Sequence, residues 1–162
     1  MTVIIGIDPG SRHTGYGVIR VEGNRHIHLA NGYLDVSRYD FAERYRQIFL
    51  GLQEVIRTYQ PHEAAIEQIF MHQNPNSALK LGQARGAAIV AINIPMAEYS
   101  AREIKKSIVG FGAAAKEQVQ FMVQRLLNIT QKLQLDASDA LAVALCHAHA
   151  RGLKKLGLEA LK

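Results

Sequence analysis

The chain has 162 residues, 48% of them apolar and 20% charged, which suits one globular domain with a buried core and excludes a disordered chain. Its 19 Lys and Arg against 14 Asp and Glu leave a formal charge of +5, which favours polyanionic partners without identifying one. Cys146 is the single cysteine, so an internal disulfide and a cysteine-rich zinc site are excluded.

Val3, Ile4, Ile5 and Ile7 have the pattern of a strand buried on both faces, and Asp8 stands at its end. Pro9, Gly10 and Ser11 are turn residues, and Thr14 to Val21 resumes strand-type sequence. The opening therefore reads as a hairpin with a carboxylate at its mouth. The plain alternative for Asp8 is the start of an Asx-turn. Glu22-Gly23-Asn24 makes a second turn, and Arg25 to Leu34 a third strand, antiparallel to its neighbour.

From Phe41 the period changes. Phe41, Tyr45, Ile48, Leu52, Val55 and Tyr59 line one face of an amphipathic helix, which Pro61 closes. Ala64 to Ile69 follows as the strand of a βαβ crossover. Glu67 lies within that strand and needs a partner cation, a raised pKa or solvent at the strand end; a salt bridge to an arginine would be its structural use. Phe70 to Asn76 reads as a loop in which Phe70 either stacks on an unpaired base or anchors the loop to the core.

Ser77 is expected to cap a helix of small residues ending near Ile92. Its Gly82, Ala84, Gly86, Ala87 and Ala88 permit close approach of another backbone, either a second copy's helix or the chain's own sheet. Pro95 to Tyr99 supplies a fifth strand. Ser100 to Glu103 matches a capping box for a short helix through Lys106, and Gly110-Phe111-Gly112 then breaks the chain. Lys116 to Leu127 and Leu135 to Ala150 are the last helices, and Cys146 fits the latter as a small buried hydrophobe. Residues 151–162 read as a frayed or separately packed tail after a single domain of residues 1–150. The order describes an α/β domain, a mixed five-stranded sheet flanked by helices.

The apolar stretch near Gly86 to Ala97 contains Asn93 and Pro95 and is too short for a bilayer span, while Asp8 and Arg12 interrupt any signal-peptide core. A cytosolic protein without membrane association is expected.

Asp136 and Asp139 lie three apart at the start of the last helix, on one face. Capping explains them without a metal, with Asp136 as N-cap and Asp139 at N3. If the first and fourth strands are neighbours, however, Asp8, Glu67, Asp136 and Asp139 converge. Such carboxylates cannot all ionise in a dry site without a hard cation, and oxygen-only ligation selects Mg²⁺ or Mn²⁺. The seven histidines lack zinc-site spacing.

These residues resemble the RuvC-type Holliday-junction resolvases, crossover junction endodeoxyribonucleases of ribonuclease H-like fold. The matching segments span nearly the whole chain: GIDPGSRHTGYGVI, AIEQIF followed by NPNSALKLGQARGAAIVA, AREIKKSIVGFGAAAKEQVQ, and LDASDALAVALCHAH. The resemblance implies that Asp8, Glu67, Asp136 and Asp139 are catalytic metal ligands, that Lys105 and Lys116 lie near the scissile phosphate, and that Phe70 stacks on a base at the crossover. It implies Mg²⁺-dependent resolution of four-way DNA junctions by paired nicks, with Mn²⁺ as substitute and two ions per subunit. A homodimer and the branch-migration helicase complex RuvA-RuvB are the implied partners. Residues 128–135 and the end of the chain match no family pattern.

A ribonuclease H-like RNA-processing enzyme would share Asp8 and the helix acids but not the Phe70 loop and small-residue helix. An actin-like ATPase needs two such domains, and a non-catalytic DNA-binding module would lack the carboxylates.

Overall fold

The computed structural model describes residues 1–69 and 74–155. Strand β1 (Thr2–Asp8) pairs antiparallel with β2 (His13–Glu22), with Asp8 opposite Gly15, and β2 pairs antiparallel with β3 (Arg25–Asp35). Helix α1 (Phe41–Tyr59) leads to β4 (Glu63–Glu67), parallel to β1 with Ile7 beside Ile66. Helix α2 (Pro75–Ala91) leads to β5 (Met96–Tyr99), parallel to β4, and α3 (Ala101–Val109), α4 (Lys116–Leu127) and α5 (Leu135–Lys155) complete the chain. The sheet order is β3-β2-β1-β4-β5.

The two-residue period of the strands sorts the core into two layers. Val3, Ile5 and Ile7 pack with Ile48 and Leu52 of α1 and Ala84 and Ala88 of α2. Ile4, Ile19 and Ala65 face the other way, onto Leu141 and Leu145 of α5 with Val123 of α4. The same alternation carries Asp8 to the α5 face two positions after Gly6, and Glu67 two positions after Ala65.

Glycine lets α5 lie directly on that face. A Cβ at Gly6 would stand 2.2 Å from the carbonyl oxygen of Ala140, and one at Gly15 would stand 2.1 Å from that of Asp136. The first turns of α5 thus rest on strand backbone, which brings their acids to the end of β1.

Several boundaries differ from expectation. Asn74, not Ser77, caps α2: its side chain accepts from the N–H groups of Asn76 and Ser77 at 3.0 and 3.4 Å, and Pro75 occupies the first turn, where its fixed φ is already helical. Helix α3 keeps the expected capping box but runs past Lys106 to Val109, ending on Gly110 at φ 97°. Glu67 closes β4 instead of lying within it, so solvent reaches its side of the strand end.

Asp136 is inside the first turn of α5 and is not its N-cap; the Gln134 carbonyl already accepts from the Ser138 N–H at 2.9 Å. That helix also continues beyond Ala150. Arg151 holds Glu63 at 2.6 Å and donates to Thr2 Oγ1 at 3.2 Å, which ties this turn to the sheet; residues 156–162 lie outside the described residues. No helix among the described residues is long and apolar enough to cross a membrane.

Candidate active site

Asp8 ends β1 on the α5 face, and the turn beyond it is held by fully buried Thr14, whose hydroxyl donates to the Gly10 carbonyl at 3.0 Å and accepts from the Gly10 N–H at 3.4 Å. Glu67 ends the adjacent parallel strand, and Asp136 and Asp139 descend from the start of α5. Burial raises the Asp8 carboxyl well above the ordinary range, and Glu67, Asp139 and Asp136 each push it further while Lys116 opposes them. Burial and then Asp139 raise Glu67, against Lys116 and Lys105. Asp139 is raised chiefly by burial, with the same two lysines opposing.

The cations complete the site. Lys116, at the start of α4, places Nζ 3.4 Å from Asp139 Oδ2, and Asp139 is the main cause of its raised pKa, with Asp8 and Glu67 adding to it. Lys105 of α3 lines a cavity of about 150 Å³ together with Glu67, Lys116 and Asp139. Six of the residues singled out from the sequence are therefore gathered at one end of the sheet. The seventh, Phe70, lies outside the described residues.

The arginine alternative for Glu67 does not hold. Arg85 reaches the Glu67 backbone carbonyl at 3.3 Å, but its ion pair is with Glu98 at 2.6 Å. One neighbour of the acids had no signal in the sequence: His13, at the start of β2, stands 3.8 Å from Asp136 and 3.5 Å from Asp35, with its ring against Tyr33. Its place follows only from the pairing of strand ends, which no local pattern encodes.

Among the described residues no three His, Cys, Asp or Glu side chains already form a closed coordination group. The donor set still fits a hard divalent cation: it is all carboxylate, half-buried, and made of groups whose mutual repulsion opposes ionisation. Such a set takes up a cation with release of protons. Such an arrangement can support metal-assisted hydrolysis of an anionic ester, with lysines beside the acids able to meet a substrate's charge.

Residues 4–147 match the family described as crossover junction endodeoxyribonuclease RuvC. The chain belongs to the RuvC family. The crossover junction endodeoxyribonuclease RuvC of Acinetobacter baumannii is 56% identical over 155 residues, covering 94% of this chain and 86% of that protein. A solved structure of Thermus thermophilus RuvC in complex with Holliday junction substrate matches with a TM-score of 0.87 at 33% identity, covering 98% of each chain. The yeast mitochondrial Holliday junction resolvase matches with a TM-score of 0.63 at 14% identity over 94% of this chain and 83% of that one, a likeness of fold alone. The mixed five-stranded, ribonuclease H-like architecture expected from the sequence is the one observed.

Proposed function

We propose that the chain resolves four-way DNA junctions, as its RuvC family membership implies, by divalent-metal-dependent phosphodiester hydrolysis in which Asp8, Glu67, Asp136 and Asp139 are the metal ligands. The observation that carries this reading is the gathering of Asp8, Glu67 and Asp139 on one face of the sheet end against Lys116. Mg²⁺ is the proposed ion, two per subunit, with Mn²⁺ able to replace it; when bound, such ions supply activation of the attacking water and charge stabilisation at the leaving oxygen. Asp8, whose carboxyl feels all three of the other acids, would hold the ions together with them. Lys105 and Lys116 hold the scissile phosphate against the acids, and Phe70 is proposed to stack on a base at the crossover. The catalytic domain is residues 1–150 by this reading, with the remainder accessory.

A homodimer supplies the second active site that paired cuts on two strands require. Helix α2 is the proposed contact. A Cβ at Gly82 or Gly86 would meet nothing within 4 Å, so the chain's own packing does not demand either glycine, and Leu79 and Val90 on the same helix are 65% and 73% exposed. RuvA-RuvB as helicase partner rests on family resemblance.

The test uses Asp8→Asn. It is expected to abolish cleavage of a synthetic junction in Mg²⁺ while junction affinity is retained, because metal chemistry and phosphate contacts are separable. Mixing it with excess wild type, so that wild-type protein occurs mainly as homodimers and the variant mainly as heterodimers, should yield singly nicked junctions in proportion to the variant. A variant that cuts at the normal rate removes Asp8 from the ligand set.

A further inference from the structure

A cavity of about 800 Å³ lies apart from the carboxylates, between the beginning of β3 and the connection that joins α4 to α5. Arg25, His26, His28 and Asn31 form one wall, and the connection, including Gln131 and Lys132, forms the other; no Asp or Glu lines it. An adjoining cavity of about 450 Å³ continues the surface past Thr130 to Arg125 and Phe121, again without a carboxylate, and Phe121 is 61% exposed. Arg25, Arg125 and Lys132 are exposed, and none takes part in the ion pairs found among the described residues. Burial, with His149 beside it, lowers the His26 imidazole, so the fixed charge of the groove comes from Arg25 and Lys132.

Both walls are built. The β2–β3 register slips between Val18, which faces Ala30, and Ile19, which faces His28, so Leu29 is bulged; His28 Nε2 and Asn31 Oδ1 meet across the bulge at 2.7 Å. Opposite, α4 ends on Asn128 in the left-handed conformation at φ 52°. Gln124 donates to the Gln131 carbonyl at 2.8 Å and Gln120 donates to the Leu133 carbonyl at 3.0 Å. These bonds occupy backbone acceptors of the connection by tying them to α4. The groove wall ends at Leu133, two residues before α5 begins with its acids.

A surface of cations and amides without carboxylates suits phosphate oxygens. A peptide strand fits it less well, because the bulge interrupts the edge of β3 on which such a strand would add. Resting on the reading of the chain as a junction nuclease, we propose that this groove holds the phosphodiester backbone of a duplex arm of the junction, as a contact separate from the carboxylate site.

The test is the double variant Arg25→Gln, Lys132→Gln, measured against wild type and Arg57→Gln, which neutralises an exposed cation on α1. Junction affinity is titrated over a range of salt with short-armed and long-armed junctions, and cleavage is measured at saturating junction. The double variant should bind long-armed junctions more weakly, with the slope of log affinity against log salt shallower by about 1.8, two contacts at about 0.9 each. Short-armed junctions and the saturated cleavage rate should be unaffected, and Arg57→Gln should behave as wild type. An unchanged slope, or an equal loss for both arm lengths, overturns the groove as an arm contact. Tighter binding of a peptide than of long-armed DNA would likewise overturn it. Loss of cleavage at saturation in the double variant alone would overturn the separation of groove from carboxylate site, whereas wild type that fails to cut junctions would place the fault in the junction-nuclease reading. A melting temperature matching wild type confirms that the double variant is folded.

Discussion

Replacing Gly15 with alanine tests whether α5 sets the geometry of the acids. The new Cβ would stand 2.1 Å from the Asp136 carbonyl oxygen. A comfortable carbon–oxygen contact is about 3.3 Å, so the first turn of α5 must retreat from β2 by about 1 Å. Overpacking of this kind costs about 1–3 kcal/mol. For a domain of this size that corresponds to a fall in melting temperature of roughly 2–12 °C. The larger effect is on chemistry: a shift of about 1 Å separates Asp136 and Asp139 from Asp8, and misplacement on that scale costs about 100-fold in rate. The assay pairs thermal melting with single-turnover cleavage of a saturating junction in Mg²⁺. Gly152→Ala is the control, since the same substitution near the other end of α5 meets nothing within 4 Å and should be neutral or stabilising by up to about 1 kcal/mol. If Gly15→Ala melts and cleaves like wild type, close seating of α5 on β2 does not place the acids.

In EDTA, Asp8→Asn should stabilise the protein as pH rises. The folded state keeps the Asp8 proton above about pH 4, where the unfolded chain loses it, so wild type loses stability from about pH 4 up through the raised pKa, and asparagine does not. Melting curves that stay parallel across this range would contradict the burial and crowding that raise Asp8. Mg²⁺ should raise the wild-type melting temperature, and raise that of Asp8→Asn less, because ligand binding to the native state stabilises it. Gly82→Ala with Gly86→Ala should strengthen the isolated helix by up to about 1 kcal/mol per site yet weaken self-association in sedimentation; unaltered association would move the dimer contact elsewhere.

Strand β1 was legible as a run buried on both faces with Asp8 at its end, but a run apolar on both faces shows no alternation, so the shared face of Asp8 and Glu67 followed only from the parallel pairing of β1 with β4. The apolar stripe of α1 was plain for Tyr45, Ile48, Leu52, Val55 and Tyr59, which pack on the core, while Phe41 at its start is 70% exposed. Helix starts were harder. Asn74 and Ser77 are both good caps, and Pro75 was the cue that separates them. Asp136 resembles a cap by residue type, but its backbone is already helical. The contact of His13 with Asp136 depends on the end of one strand meeting the start of a helix more than 100 residues later, and hydrophobic periodicity does not carry that information. The glycines of β1 and β2 did hold a cue, since glycine inside a strand marks close backbone approach.

The far end of α5 has its own fastening. Tyr99 meets His147 at 2.8 Å, His147 meets Glu63 at 2.8 Å, and Arg151 joins Glu63 and Thr2. Arg151 is 15 residues along the helix from Asp136, about 22 Å at 1.5 Å per residue. A rigid rod pinned at its base transmits any axial slip undiminished to its tip. The register of the acids at the head of α5 is therefore set partly at its far end, and on the proposed function a change at Glu63 or Arg151 would alter cleavage with Asp8, Glu67, Asp136 and Asp139 all intact.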